Sequence, residues 1–282
     1  MAKLSRIERK NHNQACELLK KDVLTIDEKE FVLNNWHEGA EHMNGEVGAF
    51  FTPEGLALDF RIEVAGETII DLCAGIGRLA FCAYHYPYNF DGQKRKIVCV
   101  EKNPAYIEVG QKILPEATWV QGDVTDREFL KSLGSFDCAI SNPPFGKVQG
   151  NKAEKYSGAD FEYKVIEAAS LIADYGVFII PQSSAPFIYS GTNNHRFVWQ
   201  TGEEGSFNKY RKFHKETGIS LDVGCGIDTT FCIEEWKGVA PICEVVTADY
   251  EELRQKQQAT IAPIQVERIK GDQLSLFDQL AA

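Results

Sequence analysis

The chain has 282 residues, 44% of them hydrophobic and 25% charged, enough apolar material to bury the core of one large domain with a small appendage, which excludes a wholly disordered chain. Its formal net charge of −11 at pH 7 works against phosphate-driven contact over the whole surface, so any nucleic-acid contact has to be local. Met1 to Lys10 is charged and lacks an apolar signal core, and no later stretch approaches the roughly 18 apolar residues of a spanning helix; the expected location is the cytoplasm, with no membrane partner.

In chain order, the spacing of apolar positions predicts helices over Leu4 to Val23 and Asp27 to Trp36, the second capped by Asp27 with Glu30 three residues on. These form an N-terminal helical extension, residues 1–45. From residue 46 to 250, apolar runs at Thr68 to Cys73, Lys96 to Val100, Ala117 to Gln121, Phe136 to Ser141 and Gly176 to Pro181 alternate with helical stretches, the rhythm of an α/β doubly wound parallel sheet. Two later runs, Ile219 to Cys232 and Pro241 to Thr247, have no helix-length spacer and are expected to pair antiparallel at the sheet edge. Residues 251–282 read as a polar tail, with Thr260 to Pro263 resembling a linker. The eight cysteines (Cys16, Cys73, Cys82, Cys99, Cys138, Cys225, Cys232, Cys243) stand singly, without metal-ligand spacing, and read as buried reduced thiols; no metal site is expected.

The run Thr68-Ile-Ile-Asp71-Leu-Cys-Ala74-Gly75-Ile-Gly77-Arg-Leu-Ala80 is an apolar strand breaking into a glycine turn and then a helix, where backbone can approach a ligand. It also fits a dinucleotide fingerprint. Asp71, four residues before Gly75, favours instead a ligand with a methionine moiety, whose amino group a carboxylate can face. Glu101, ending the second strand before Lys102, suits two ribose hydroxyls, and Asp123 with Val124, ending the third, suits an adenine amino group.

Together, Asp71-Leu-Cys-Ala-Gly-Ile-Gly, Glu101, Gly122-Asp123 and the Asn142 motif described below resemble class I S-adenosylmethionine-dependent methyltransferases over roughly residues 45 to 250. Gly48-Ala-Phe-Phe51-Thr52-Pro53 resembles the element that closes over the methionine end of the cofactor in amino-methylating DNA enzymes, and its place ahead of the glycine turn is similar to the gamma-type order. The resemblance implies a Rossmann-like fold with a mostly parallel seven-stranded sheet, helices on both faces, and S-adenosyl-L-methionine as cofactor. It implies cofactor contacts from Phe51, Thr52, Pro53, Asp71, Ala74, Gly75, Gly77, Glu101, Lys102, Asp123, Val124 and Asn142. In place of the large target-recognition domain usual in such enzymes, only inserts at Phe145 to Tyr163 and Ala185 to Gly218 are available.

The fourth strand runs into Ser141-Asn142-Pro143-Pro144-Phe145-Gly146. Two prolines exclude helix and hold the Pro143 carbonyl outward beside the Asn142 side chain. Two acceptors aimed at the hydrogens of a conjugated amine favour its pyramidal form, whose lone pair can attack a sulfonium methyl in line. Phe145 would stack on the target ring, offsetting the few kcal/mol of base extrusion. The alternative is a rigid strand-end turn with no chemistry.

This tetrapeptide resembles sequences in DNA adenine, ribosomal RNA adenine or guanine, and protein glutamine methyltransferases; Phe51-Thr-Pro favours DNA adenine, and tyrosine is usual at position 145 in the glutamine enzymes. Between Phe187 and Thr217, Arg196, Lys209, Arg211, Lys212 and Lys215 outnumber Glu203, Glu204 and Glu216, with Phe187, Tyr189, Phe197, Trp199, Phe207, Tyr210 and Phe213 interleaved. That suits a flipped-base or single-strand surface, or, over Ser206 to Thr217, an amphipathic helix with a solvated charged face. The substrate-contact candidates are Lys147, Arg196, Trp199, Lys209, Arg211 and Lys212.

Gln273-Leu274-Ser275-Leu276-Phe277 resembles the pentapeptide that docks bacterial proteins on the replicative sliding clamp, which implies a nucleoid-associated protein tethered to DNA; the alternative is an apolar turn packing on its own domain. A clamp-binding module with vestigial catalysis is a further reading. Leu221-Asp-Val-Gly224-Cys-Gly226 repeats the glycine pattern but is read as a bulge or turn, because no ribose acid follows.

Overall fold

A computed structural model describes residues 5–37, 51–88, 94–192, 198–199, 207–237 and 240–261. The strands read as near-continuous apolar runs because both faces of the sheet are covered: Ile69, Cys138, Ile179 and Val245 bury on one side, their neighbours Ile70, Ala139, Ile180 and Val246 on the other. The strands are β1 (Thr68–Leu72), β2 (Lys96–Glu101), β3 (Thr118–Gln121), β4 (Phe136–Ser141), β5 (Ala173–Pro181), the short pair β6 (Phe187–Ile188) and β7 (Val198–Trp199), and β8 (Cys243–Asp249). The main sheet has the order β3-β2-β1-β4-β5-β8, parallel except for β8 against β5. The order reverses between β1 and β4, and a crevice opens at such a switch point beyond the carboxyl ends of the strands.

Six strands form this sheet among the described residues, against the seven expected. The run Pro241 to Thr247 does supply an antiparallel edge strand, but its partner is β5, in register from Tyr175↔Asp249 to Pro181↔Cys243. The run Ile219 to Cys232 forms no strand of the sheet: it joins β8 at the bridge Asp222↔Thr247 and through Thr229 Oγ1, which donates to the Cys243 carbonyl at 2.7 Å. Gly224 and Gly226, at φ 58° and 78°, turn it away, and Thr229–Glu235 winds into a 3-10 helix. Its apolar residues Ile219, Leu221, Ile227 and Cys232 are buried all the same, anchoring a loop.

One face of the sheet carries α1 (Arg6–Leu18), α2 (Ile26–Asn35), α3 (Glu54–Phe60), α4 (Arg78–His85) and α5 (Pro104–Ile113); the other carries α6 (Arg127–Ser132), α7 (Phe161–Ala169), α8 (Phe207–Thr217) and α9 (Tyr250–Ile261). The cap of α2 is Thr25 with Glu28, two residues earlier than Asp27 with Glu30, because the reciprocal pair of bonds forms at Thr25. The start of the polar tail folds as α9, whose Tyr250 and Leu253 pack on the second core. Residues 257–261 belong to this helix, so Thr260 is not linker, while Gln273, Leu274, Ser275, Leu276 and Phe277 lie outside the described residues.

α8 is amphipathic, with Arg211 and Lys212 exposed and Phe213 on its buried face. Phe213 is fully buried and stacks on Tyr163 with centroids 4.5 Å apart, and Phe187 is also core, so neither ring is available to a base. The thiols divide: Cys82, Cys99, Cys138, Cys232 and Cys243 are buried, Cys16 and Cys73 half-buried, and Cys225 is exposed because the glycine turn carries it outward. No described helix is long and apolar enough to cross a membrane.

Candidate active site

The crevice beyond β1, β2 and β4 contains a cavity of about 530 Å³, within the range of small-molecule sites. Its wall collects Phe51, Thr52, Asp71, Ala74, Gly75, Glu101, Lys102, Asp123, Val124, Asn142, Pro143, Pro144 and Phe145, thirteen of the residues selected from the sequence. Two others support it from behind. Pro53 is the cap residue of α3. Gly77 caps α4 at φ 90°, where a Cβ would lie 3.0 Å from the Trp119 ring.

Asp71, the last residue but one of β1, is almost wholly buried, at 1% exposure. Its Oδ2 accepts from Ala80 N at 3.2 Å, while Oδ1 is buried without a hydrogen-bond partner among the described residues. Burial pushes the carboxyl well above the usual carboxylate range, and Glu101 adds to the effect. A cation brought beside the carboxyl would reverse the desolvation penalty. Glu101 is held by backbone: Oε2 accepts from Gly75 N, and Oε1 from Lys102 N and Asn103 N, each at 2.8 Å. That fixes the carboxylate at the end of β2. Gly75 lies at φ 56°, and a Cβ there would meet the Phe51 ring at 3.3 Å.

Asp123 accepts from Thr125 N at 2.9 Å, Thr125 Oγ1 at 2.6 Å and Lys102 Nζ at 3.0 Å. Partial burial raises its pKa, but these bonds outweigh burial and hold the carboxyl below its ordinary value. Thr125 Oγ1 in turn accepts from Asn151 N at 2.8 Å, joining the end of β3 to the segment after Phe145.

The Asn142 turn is tied on three sides. Ser141 Oγ donates to the Leu72 carbonyl, joining the ends of β4 and β1. Asn142 Nδ2 donates to Thr52 Oγ1 at 2.9 Å, which leaves the amide oxygen as the acceptor end of that side chain. From below, Glu162, fully buried on α7, accepts from Gly146 N at 2.9 Å and Ser184 Oγ at 2.7 Å; burial raises its pKa against the pull of these bonds.

The remaining described candidates lie outside the cavity wall. Lys147 is exposed and bridges to Asp160 through its backbone. Lys209 pairs with Asp160 at 3.0 Å, Lys212 sits 5.9 Å from the Tyr156 ring centroid, and both therefore brace α8 against the 146–160 segment. Arg211 is exposed, Trp199 is 44% exposed and edge-on to Phe187, and Arg196 lies outside the described residues. Among the described residues no cluster of His, Cys, Asp and Glu is arranged to hold a metal ion.

Sequence reasoning missed Arg78, Tyr106, Val148, Gln149 and Phe161, all in the wall. Tyr106 packs edge-on to Phe51 at 5.4 Å, and Trp36 of the N-terminal segment packs on both rings at 5.9 Å. For Arg78 a signal existed: a cation in the first turn of a helix opposes the helix dipole, so its presence there needs a reason.

No protein-family model and no curated protein sequence matches the chain. Solved structures do. One assigned as a class I S-adenosylmethionine-dependent methyltransferase from Listeria monocytogenes aligns with TM-score 0.53 and 14% identity, covering 82% of this chain and 69% of its own. The fold is that of class I methyltransferases. A type I restriction-modification methyltransferase subunit from Streptococcus thermophilus aligns with TM-score 0.53 and 14% identity over 79% of this chain. A modification subunit assigned to a type I restriction enzyme of Vibrio vulnificus aligns with TM-score 0.50 and 13% identity over 82% of this chain. The chain spans 48% and 51% of the length of these two subunits, about half.

Proposed function

We propose that the protein transfers a methyl group from S-adenosyl-L-methionine to the exocyclic amino group of adenine in DNA, with the base flipped into the crevice. The observation that carries this reading is the hydrogen bond from Asn142 Nδ2 to Thr52 Oγ1, which joins the Asn-Pro-Pro-Phe turn to the Phe-Thr-Pro element in the wall of one cavity. Asp71 in the cavity wall fits a methionine ammonium, the backbone-held Glu101 fits ribose hydroxyls, and Asp123 fits an adenine amine. The cofactor, when bound, supplies an electrophilic methyl on a sulfonium. Asn142 Oδ1 and the Pro143 carbonyl accept from the amine hydrogens, and Phe145 stacks on the base, so the lone pair is aligned on the methyl. A nitrogen–carbon bond forms as the carbon–sulfur bond breaks, and the methylated cation then loses a proton to water, so no strong base is required. DNA as the substrate agrees with the modification subunits of like fold. Residues 273–277 would tether the protein to the sliding clamp, raising its local concentration at DNA despite the net charge of −11.

The test offers methyl-labelled cofactor with duplex DNA, single-stranded DNA, ribosomal RNA and protein, followed by digestion to nucleosides and amino acids. Label as N6-methyladenine in DNA is the expected result; label in RNA alone would reassign the substrate. A finer expectation concerns Thr125. Thr125→Val keeps the shape and removes the hydroxyl that orients Asp123, and should raise the KM for cofactor about tenfold with little change in kcat, while Thr125→Ser stays near wild type. Steady-state kinetics in the cofactor concentration checks it.

A further inference from the structure

The Asn142 turn is anchored at both ends. At its start Ser141 is tied to Leu72 and Asn142 to Thr52. At its end the first turn of α7 takes both backbone groups of Gly146: Glu162 Oε2 accepts from Gly146 N at 2.9 Å, and Phe161 N donates to the Gly146 carbonyl at 2.7 Å. Gly146 lies at φ 81°, directly after Phe145, so Pro143, Pro144 and Phe145 span two fixed points. Glu162 is fully buried and is not part of the cavity wall, so it reaches the site only through Gly146.

The same carboxyl has a second attachment. Its Oε1 accepts from Ser184 Oγ at 2.7 Å, and the neighbouring Tyr163 hydroxyl donates to the Ser184 carbonyl at 2.6 Å. Ser184 ends the 3-10 helix Gln182–Ser184, is fully buried, and directly precedes the insert Ala185 to Gly218. No cation pairs with Glu162 among the described residues, so its hydrogen bonds alone offset the cost of burying it. Those bonds run to the end of the turn on one side and to the root of the insert on the other. We infer that Glu162 is a positioning residue for methyl transfer: it locks the turn to the root of the insert and so sets Phe145 and the Pro143 carbonyl against the target amine. This rests on the reading of the Asn142 turn as the site of transfer.

Single-turnover methyl transfer by the full chain, at saturating S-adenosylmethionine and on the substrate that accepts label from wild type, tests the assignment beside a calorimetric titration of the cofactor. Glu162→Ala should slow transfer about 10- to 100-fold, the effect of a small misplacement at a reacting centre, with cofactor affinity nearly unchanged. Glu162→Gln should restore most of the rate, because its amide oxygen can take the Gly146 N–H while its amide nitrogen donates to Ser184 Oγ. A Glu162→Ala protein that transfers at the wild-type rate would overturn the proposal. So would one that loses cofactor affinity in step with rate, which marks a support of the fold, or a Glu162→Gln protein as slow as alanine. Where Glu162→Ala does not fold, Ser184→Ala decides: it removes one of the two attachments and should slow transfer about 3- to 10-fold, and an unchanged rate would overturn the proposal. Wild type that labels no nucleic acid or protein would overturn the methyl-transfer reading and this assignment with it, a result distinct from active wild type matched by its variants.

Discussion

Replacing Asn142 with alanine is expected to slow methyl transfer about 100- to 1000-fold while leaving cofactor affinity nearly unchanged. The size follows from what the side chain does in the proposed reaction: it is one of two acceptors that draw the amine into its reactive shape, and alignment of this kind operates in the transition state more than in the bound ground state. The bond to Thr52 is a second role, and the two roles separate by mutation. Asn142→Asp keeps an acceptor but loses the donor to Thr52, and should fall between wild type and alanine. Thr52→Val leaves the amide in place without its partner and should cost about tenfold. Single-turnover rates with saturating cofactor measure all three, alongside a cofactor titration. Loss of cofactor binding in Asn142→Ala would make the turn a structural support.

The second large effect concerns Asp71 and has opposite signs for binding and for stability. Burial raises the carboxyl pKa in the folded protein above its unfolded value, so the empty fold binds that proton more tightly than the unfolded chain. The resulting stabilisation is complete below the unfolded carboxylate pKa and is lost as pH climbs through the raised folded value. Asp71→Asn removes the ionisation, and the ligand-free variant should be more stable than wild type at neutral pH by about 1–3 kcal/mol, with the difference vanishing near pH 4. Cofactor affinity should fall about 10- to 100-fold at the same time, because a neutral amide cannot pair with an ammonium. Melting temperatures across pH, with and without cofactor, report both halves. A ligand-free variant less stable than wild type at neutral pH would show that the carboxylate is satisfied within the fold.

The parallel strands were legible because Ile69-Ile70, Ile179-Ile180 and their neighbours are apolar on both faces, and Asp71, Glu101 and Asp123, close to the ends of β1, β2 and β3, stood out against those runs. The start of β5 was not legible. Ala173-Asp174-Tyr175 has no strand pattern of its own and is drawn into the sheet by β4, where Ala173 pairs with Phe136 and Tyr175 with Cys138, a pairing remote in sequence. Ile219 to Cys232 misled for the reverse reason: burial of Leu221 and Ile227 imitates a strand, while the left-handed glycines forbid one. In the site, Asp71, Glu101 and the Asn142 turn were found from residue type and place. Arg78 was passed over because a charged residue is taken as surface until its neighbours are known, and the bracing of Lys209 by Asp160 depends on a loop whose path no local pattern encodes.

No described residue of α1 or α2 touches the cavity, yet Asn34 supplies the only hydrogen bond made by the Arg78 guanidinium among the described residues, and Trp36 backs both Phe51 and Tyr106. Evolutionary or engineered change in those two helices would therefore be read out as altered ligand affinity at a distance. A fragment trimmed to begin at Phe51 would keep every described strand and lose the scaffolding of its own binding wall.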